Sequence, residues 1–300
     1  MRWASAAALL LASSLIACRG PASASEPSAP RSRSIMPSEL FPDDLDLVVR
    51  IDAARIRQNP MLTGVVRDLA KSSTAEILAS AKNALGDATA VWVGTRWMSD
   101  GFQGDGVVAV EAPPGSDIRD APRSGGVRRV PVPWPGIDVF ERTASSRSEP
   151  ALEVIVESRG VVLATAAEAD AVLRVLRAGP DGGRLDPPAR GLVSFAGRVR
   201  GGEILRATAA VGALRALTDG LIGYAGSLEE RDAIEVEASL TYVSPDRAAA
   251  AAEAGRRTAK RLAAAGGKTE KVADSIWLTE VRSSLQVRAS VPFAWLAELH

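Results

Sequence analysis

The sequence predicts an α+β fold, antiparallel sheets with packed helices, arranged as two β-α-β-β units. Three observations lead there. An order of strand, helix, strand, strand is readable near the start of the chain and again near its end. Short apolar runs alternate with longer amphipathic ones, punctuated by capping residues and glycines. Finally, 46% hydrophobic residues in a chain of 300 supply apolar surface for one large core or two modest ones.

The first unit opens with "LDLVVRID", residues 45 to 52, a compact apolar run with Asp43 and Asp44 at its entrance, as expected of a buried strand. Asn59-Pro60 then caps a helix whose inward face carries Leu62, Val65, Val66 and Leu69. Ser73 and Glu76 form a capping box for a further helix that Gly86 ends. Two strands follow, "TAVWVGTRW" (89 to 97) and "DGVVAVEAP" (105 to 113), joined by a Gly-rich turn.

The middle of the chain is less regular. Residues 113 to 136 are rich in proline and glycine and read as a long loop with a strand near Val127 to Val132. "ALEVIVESRGVVLAT" reads as a hairpin turning at Ser158 to Gly160. Thr165 and Glu168 have the spacing of a second capping box, before a helix with Val172, Leu173 and Leu176 inward and Gly179-Pro180 as its stop. "GLVSFAGRV" (191 to 199) is another strand, and Glu203 to about Gly220 another helix.

The second unit starts with "AIEVEASLTYV" (233 to 243), where Ile234, Val236, Ala238, Leu240 and Tyr242 alternate on one face. Ser244-Pro245-Asp246 caps a helix that runs to about Ala265 and closes at Gly266, and "SIWLTEV" and "SSLQVRASV" add two strands. The Pro/Gly-rich segment near 180 to 190 divides the mature chain into an α+β domain over 40–185 and a second over 186–300.

Composition excludes several classes of chemistry. Lys+Arg and Asp+Glu are each 36, so no overall basic field exists to hold nucleic acid. One cysteine, Cys18, and one histidine, His300 at the end of the chain, cannot build a Cys/His zinc site, a Cys-His pair or a Ser-His-Asp triad. No catalytic residue, resident metal or cofactor is assigned. An enzyme built from this sequence would use carboxylates, Lys, Tyr, Ser or a borrowed metal.

The N-terminus carries the strongest motif. Met1-Arg2 gives a positive start, Ala6 to Ala17 an apolar stretch too short to span a bilayer comfortably, and Leu15-Ile16-Ala17 leads directly into Cys18. Leu15, Ala17 and Cys18 resemble the lipobox of bacterial lipoproteins. The resemblance covers residues 1–18. It implies a signal peptide over 1–17 and a lipid attachment point at Cys18, on an envelope membrane. Acyl chains contribute about 0.8 kcal/mol per buried CH₂, so two or more anchor a protein stably without a transmembrane helix. Arg19, in place of an aspartate after the cysteine, favours the outer membrane under the family's sorting rule. Residues 18–39, rich in Pro, Ser, Ala and Arg, read as the lipidated cysteine and a solvated tether.

Other motifs weigh less. "GDGVVA" (104 to 109) has the letters of a dinucleotide fingerprint but opens a strand, so it reads as a hairpin turn. "GGKT" (266 to 269) leaves a helix and reads as its C-cap rather than a phosphate loop. Asp100 and Asp105 flank one turn and could meet a calcium ion, although aspartates are ordinary turn residues. Glu229, Glu230 and Asp232 read as a solvated strand entrance, and Arg256, Arg257, Lys260 and Arg261 as cations that suit a helix C-terminus. "PVPWPG" (131 to 136) sets Trp134 among alternate prolines in an extended segment, where it could stack on a partner or sugar, or pack back onto the sheet. Trp134 is the binding candidate.

The expectation is a lipid-anchored cell-envelope protein with a non-catalytic binding or assembly role. Its partners would be the membrane through Cys18 and an envelope protein or polymer. The alternative is a carboxylate- or metal-dependent hydrolase acting on an envelope polymer.

Overall fold

A computed structural model of the chain describes residues 35–59, 88–96, 105–116, 127–144, 149–179, 183–200, 217–266 and 268–292. The protein is mostly antiparallel sheet with a few helices, an α+β arrangement. Twelve strands form one sheet: β1 (Leu47–Ile51), β2 (Ala90–Thr95), β3 (Gly106–Glu111), β4 (Val127–Val130), β5 (Ile137–Arg142), β6 (Pro150–Val156), β7 (Gly160–Thr165), β8 (Val193–Arg198), β9 (Leu221–Glu230), β10 (Ile234–Tyr242), β11 (Trp277–Val281) and β12 (Ser284–Val291). Their spatial order is β11-β12-β10-β9-β8-β1-β2-β3-β7-β6-β5-β4. The described α-helices are α1 (Ala53–Gln58), α2 (Ala166–Ala178), α3 (Pro245–Ala264) and α4 (Lys268–Ser275), and a 3₁₀ turn spans Pro37–Leu40.

The middle strands are continuous apolar runs because both of their faces are covered. β3 and β7 are buried almost throughout. One face carries Val48, Val107, Ala109, Leu152, Val154 and Val162, packed under Val172, Leu173 and Leu176 of α2 and under Leu40, Phe41 and Leu45. The other carries Val91, Val108, Val110, Ile155, Val161 and Leu163. At the other end, Tyr242 and Leu285 pack against Ala248, Ala251 and Ala252 of α3. Tyr242 donates its hydroxyl to the Leu217 carbonyl at 2.8 Å, and burial pushes its phenol up to about 12. Small alanines let this helix lie close to the sheet.

Many expected elements appear with small boundary shifts. β1, β2, β3, β8, β10, β11 and β12 fall inside the segments read as strands, and β6 and β7 turn through Glu157, Ser158 and Arg159. Ser158 has φ 57°, a left-handed value of the kind a tight turn requires. The expected cap of α3 is present: the Ser244 side chain accepts from the Arg247 backbone N–H.

Several expectations are corrected. Thr165 and Glu168 do not cap α2 as a box: Thr165 makes no side-chain cap bond, and Glu168 turns toward Arg96. Both polar groups serve contacts across the fold instead. The stretch 221 to 230, whose glycines disguise it, is the ten-residue strand β9. "GGKT" ends α3 at Gly266 (φ 71°), but Lys268 then starts α4. Glu229 and Glu230 close β9 and pair with Arg55 and Asn59 rather than standing solvated. The solvated segment read up to residue 39 joins the fold earlier, since Ile35 packs on the core and Leu40 is buried.

The helices expected after Asn59 and Ser73, the turn between β2 and β3, and most of the helix from Glu203 lie outside the described residues. β8, which follows the 180–190 segment, pairs with β1, which precedes it, over five positions.

Candidate functional site

Among the described residues, a partly buried charged cluster lies where β2 ends and α2 begins. Strand pairing and helix entry bring together residues far apart in sequence. Arg96 follows β2 directly, Glu168 sits in the first turn of α2, and Asp44 lies just before β1. The Arg96 guanidinium reaches Glu168 through Nε to Oε1 at 2.5 Å and Nη2 to Oε2 at 3.0 Å. It also donates to Asp44 Oδ1 at 2.7 Å and to the Asp44 carbonyl at 3.1 Å.

Glu168 is 1% exposed, so its charge is tolerable only because a planar fork meets both carboxylate oxygens. Arg96 is held more firmly in its charged form, first by Glu168 and then by Asp44. Hydrogen bonding from Arg96 lowers the Asp44 carboxyl below its ordinary range, against a smaller opposing effect of burial.

Hydroxyls and backbone groups extend this cluster. Thr165 Oγ1 accepts from the Gly106 N–H at 3.1 Å, and Thr95 Oγ1 donates to the Asp105 carbonyl at 3.0 Å. Asp46 Oδ1 forms an ion pair with Arg200 Nε at 3.2 Å. Chemically this arrangement is an internal tie. Both oxygens of its deepest carboxylate are committed to one guanidinium, so it pins the 41–46 segment, the end of β2 and the start of α2 to one another.

The residues singled out from sequence are not gathered there. Cys18 and Asp100 lie outside the described residues. Asp105 is buried at the entrance to β3. Trp134 is half-buried and packs against the α2-side core, with its indole Nε1 buried and without a hydrogen-bond partner among the described residues. Arg256 bonds Glu280 of β11 at 3.0 Å, and Arg257 bonds Glu253 at 3.3 Å. Among the described residues, no group of three or more His, Cys, Asp or Glu side chains is placed to hold a metal.

The Arg96 cluster escapes sequence reading because its partners are 72 and 52 positions away. One signal is available. Glu168 interrupts an apolar helix face, and a carboxylate on a buried face demands a cation.

The β9 to β12 end of the sheet differs on its two faces. One face holds the α3 core, while the other carries Ser227, Glu237, Ser239, Gln286 and Arg288 in register. Arg288 pairs with Glu237 at 3.2 Å, and Gln286 donates to Ser239 at 3.0 Å. At the edge, β11 exposes Trp277 (71%) and Val281 (51%).

No family model matches the chain, and no curated protein matches it. Its fold resembles that of TP0453. Crystal form I of TP0453 superposes with a TM-score of 0.51 at 12% identity, covering 90% of this chain and 98% of that one. Crystal form III gives a TM-score of 0.52 at 13% identity, covering 88% and 97%. At such identity the likeness to TP0453 concerns the fold alone.

Proposed function

We propose that this is a lipid-anchored cell-envelope protein, attached through Cys18, whose folded part serves binding or assembly rather than catalysis. The observation that carries the reading is Leu15-Ile16-Ala17-Cys18 at the end of an apolar leader. Arg19 favours the outer membrane, with the folded part facing the periplasm. Two further features support a binding role. The exposed Trp277 and Val281 stand on β11, which pairs with β12 alone among the described residues, and such an edge with apolar side chains suits an envelope protein or polymer. The carboxylate of Glu168, the most buried acid among the described residues, is held by Arg96 on both oxygens, a structural use.

The finer architecture belongs to the same reading. In chain order β1-α1 is followed by β2-β3 and β10-α3-α4 by β11-β12, but β2 lies between β1 and β3 in the sheet while β12 lies between β10 and β11, so the two β-α-β-β units share their order along the chain and not their strand pairing.

Intact-mass analysis of the membrane fraction from a bacterial host tests the anchor. The expected mass begins at residue 18 and includes diacylglycerol and an acyl chain, and Cys18→Ser abolishes the addition. A product with an unmodified Cys18, or cut elsewhere, removes the anchor from the reading.

A further inference from the structure

Three polar side chains at the centre of the sheet stand side by side on neighbouring strands and carry buried polar atoms without hydrogen-bond partners among the described residues. Ser194 on β8 lies opposite Arg50 on β1, and Arg50 lies opposite Trp92 on β2. Side chains opposed in this way have Cβ atoms about 5 Å apart and project from the same face of the sheet. Ser194 Oγ, Arg50 Nη1 and Trp92 Nε1 are all buried, and none has a hydrogen-bond partner among the described residues. Ser194 is 0% exposed.

The local environment accounts for how the groups are held but not for what they bond. Arg50 leans over Trp92, with Cζ 5.8 Å from the ring centroid, and Phe41 meets the same indole edge-on at 6.5 Å. These contacts use the ring and leave the indole N–H and Arg50 Nη1 unanswered. Buried polar groups are ordinarily satisfied, so three adjacent exceptions point to a missing partner.

The charge pattern indicates its sign. Farther along the same cross-strand row, Glu237 is paired with Arg288, and next to it on β9 Glu229 is paired with Arg55. Arg50 has no carboxylate partner among the described residues. Three donors, one of them cationic, with no counter-charge, fit a single oxyanion. One guanidinium carries one positive charge, which balances a carboxylate and leaves a buried phosphate dianion half-neutralised, so the charge count favours the carboxylate.

We propose that Arg50, Trp92 and Ser194 form a subsite for the carboxylate of a small organic acid. Arg50 Nη1 and Trp92 Nε1 donate to its oxygens, and the Ser194 hydroxyl donates a third bond.

The test follows the indole N–H resonance of Trp92 in the ¹⁵N-labelled full-length chain carrying Cys18→Ser, in non-ionic detergent, assigned by its loss in Trp92→Phe. Acetate is titrated against sodium chloride at matched ionic strength. The expected result is a saturable downfield shift with acetate alone, weakened about tenfold or more by Arg50→Gln and about threefold by Ser194→Ala. The remaining indole signals report whether each variant stays folded, and Ser194→Ala is small enough to keep the test available where Arg50→Gln disturbs the sheet. A linear response, an equal response to chloride, or saturation by inorganic phosphate but not by acetate would each overturn the proposal. So would unchanged acetate affinity in a folded Ser194→Ala or Arg50→Gln chain, which would mean that buried water fills the space.

Discussion

Glu168 shows how a single residue can be read correctly for type and wrongly for use. Its spacing from Thr165 suits a local capping box, yet in the fold its carboxylate faces the core side of α2 and meets Arg96. Burial decides between the two uses: a carboxylate 1% exposed gains far more from a bidentate guanidinium than from one backbone N–H. The prediction follows from the stranded charge. Arg96→Met should lower stability by about 3 kcal/mol, the lower end of the cost of breaking a buried pair, because Arg96 itself is partly exposed. Adding Glu168→Leu should recover part of that loss, since it removes the uncompensated carboxylate. Urea unfolding of the three chains measures both steps, and strictly additive losses would show that the charge finds water once Arg96 is gone. The same distance problem hides Arg50, Trp92 and Ser194, whose adjacency exists only once three strands are in register.

At the level of elements, legibility tracks how far each segment's local chemistry agrees with its place in the sheet. β10 is plain because one face is apolar and the other is Glu, Ser and Thr, giving a period of two. α3 is equally plain because Ser244, Pro245 and Gly266 mark both ends. β9 is hidden by Gly223 and Gly226, residues that ordinarily weaken a strand. The fold explains the second of them: a Cβ at Gly226 would collide with the Glu237 carbonyl oxygen and stand 2.7 Å from the Phe195 ring. Gly226→Val, which raises β-propensity on paper, should therefore destabilise the protein by about 2 kcal/mol through overpacking. Thermal or urea unfolding decides this, and a neutral or stabilising result would mean that β9 and β10 can separate locally without cost. α4 is obscured for a related reason. Its start follows Gly266 so closely that the glycines look like the end of a helix and nothing more.

For the molecule as a whole, the question is whether the segments on either side of residues 180–190 behave as separate cooperative units. Their cores are distinct clusters, one under α2 and one under α3, which favours independence. The seam between them is a central part of the sheet: β1 bonds β2 on one side and β8 on the other, each through five paired positions. Around it, Ile56 and Leu192 form a small core of their own, the Asp52 N–H reaches the Leu192 carbonyl at 2.8 Å, and Arg55 bonds Glu229 at 2.5 Å. Parting the halves would expose two unpaired strand edges as well as this apolar contact, so the seam should hold until either half melts. The expected outcome is a single unfolding transition. Chains retaining only Trp92 or only Trp277 as fluorophore place one probe in each half, and their urea curves should coincide in midpoint and slope. A Trp277 transition that precedes the Trp92 one would instead identify β9 to β12 with α3 and α4 as a unit that opens by itself, and would make the seam the weakest line in the sheet.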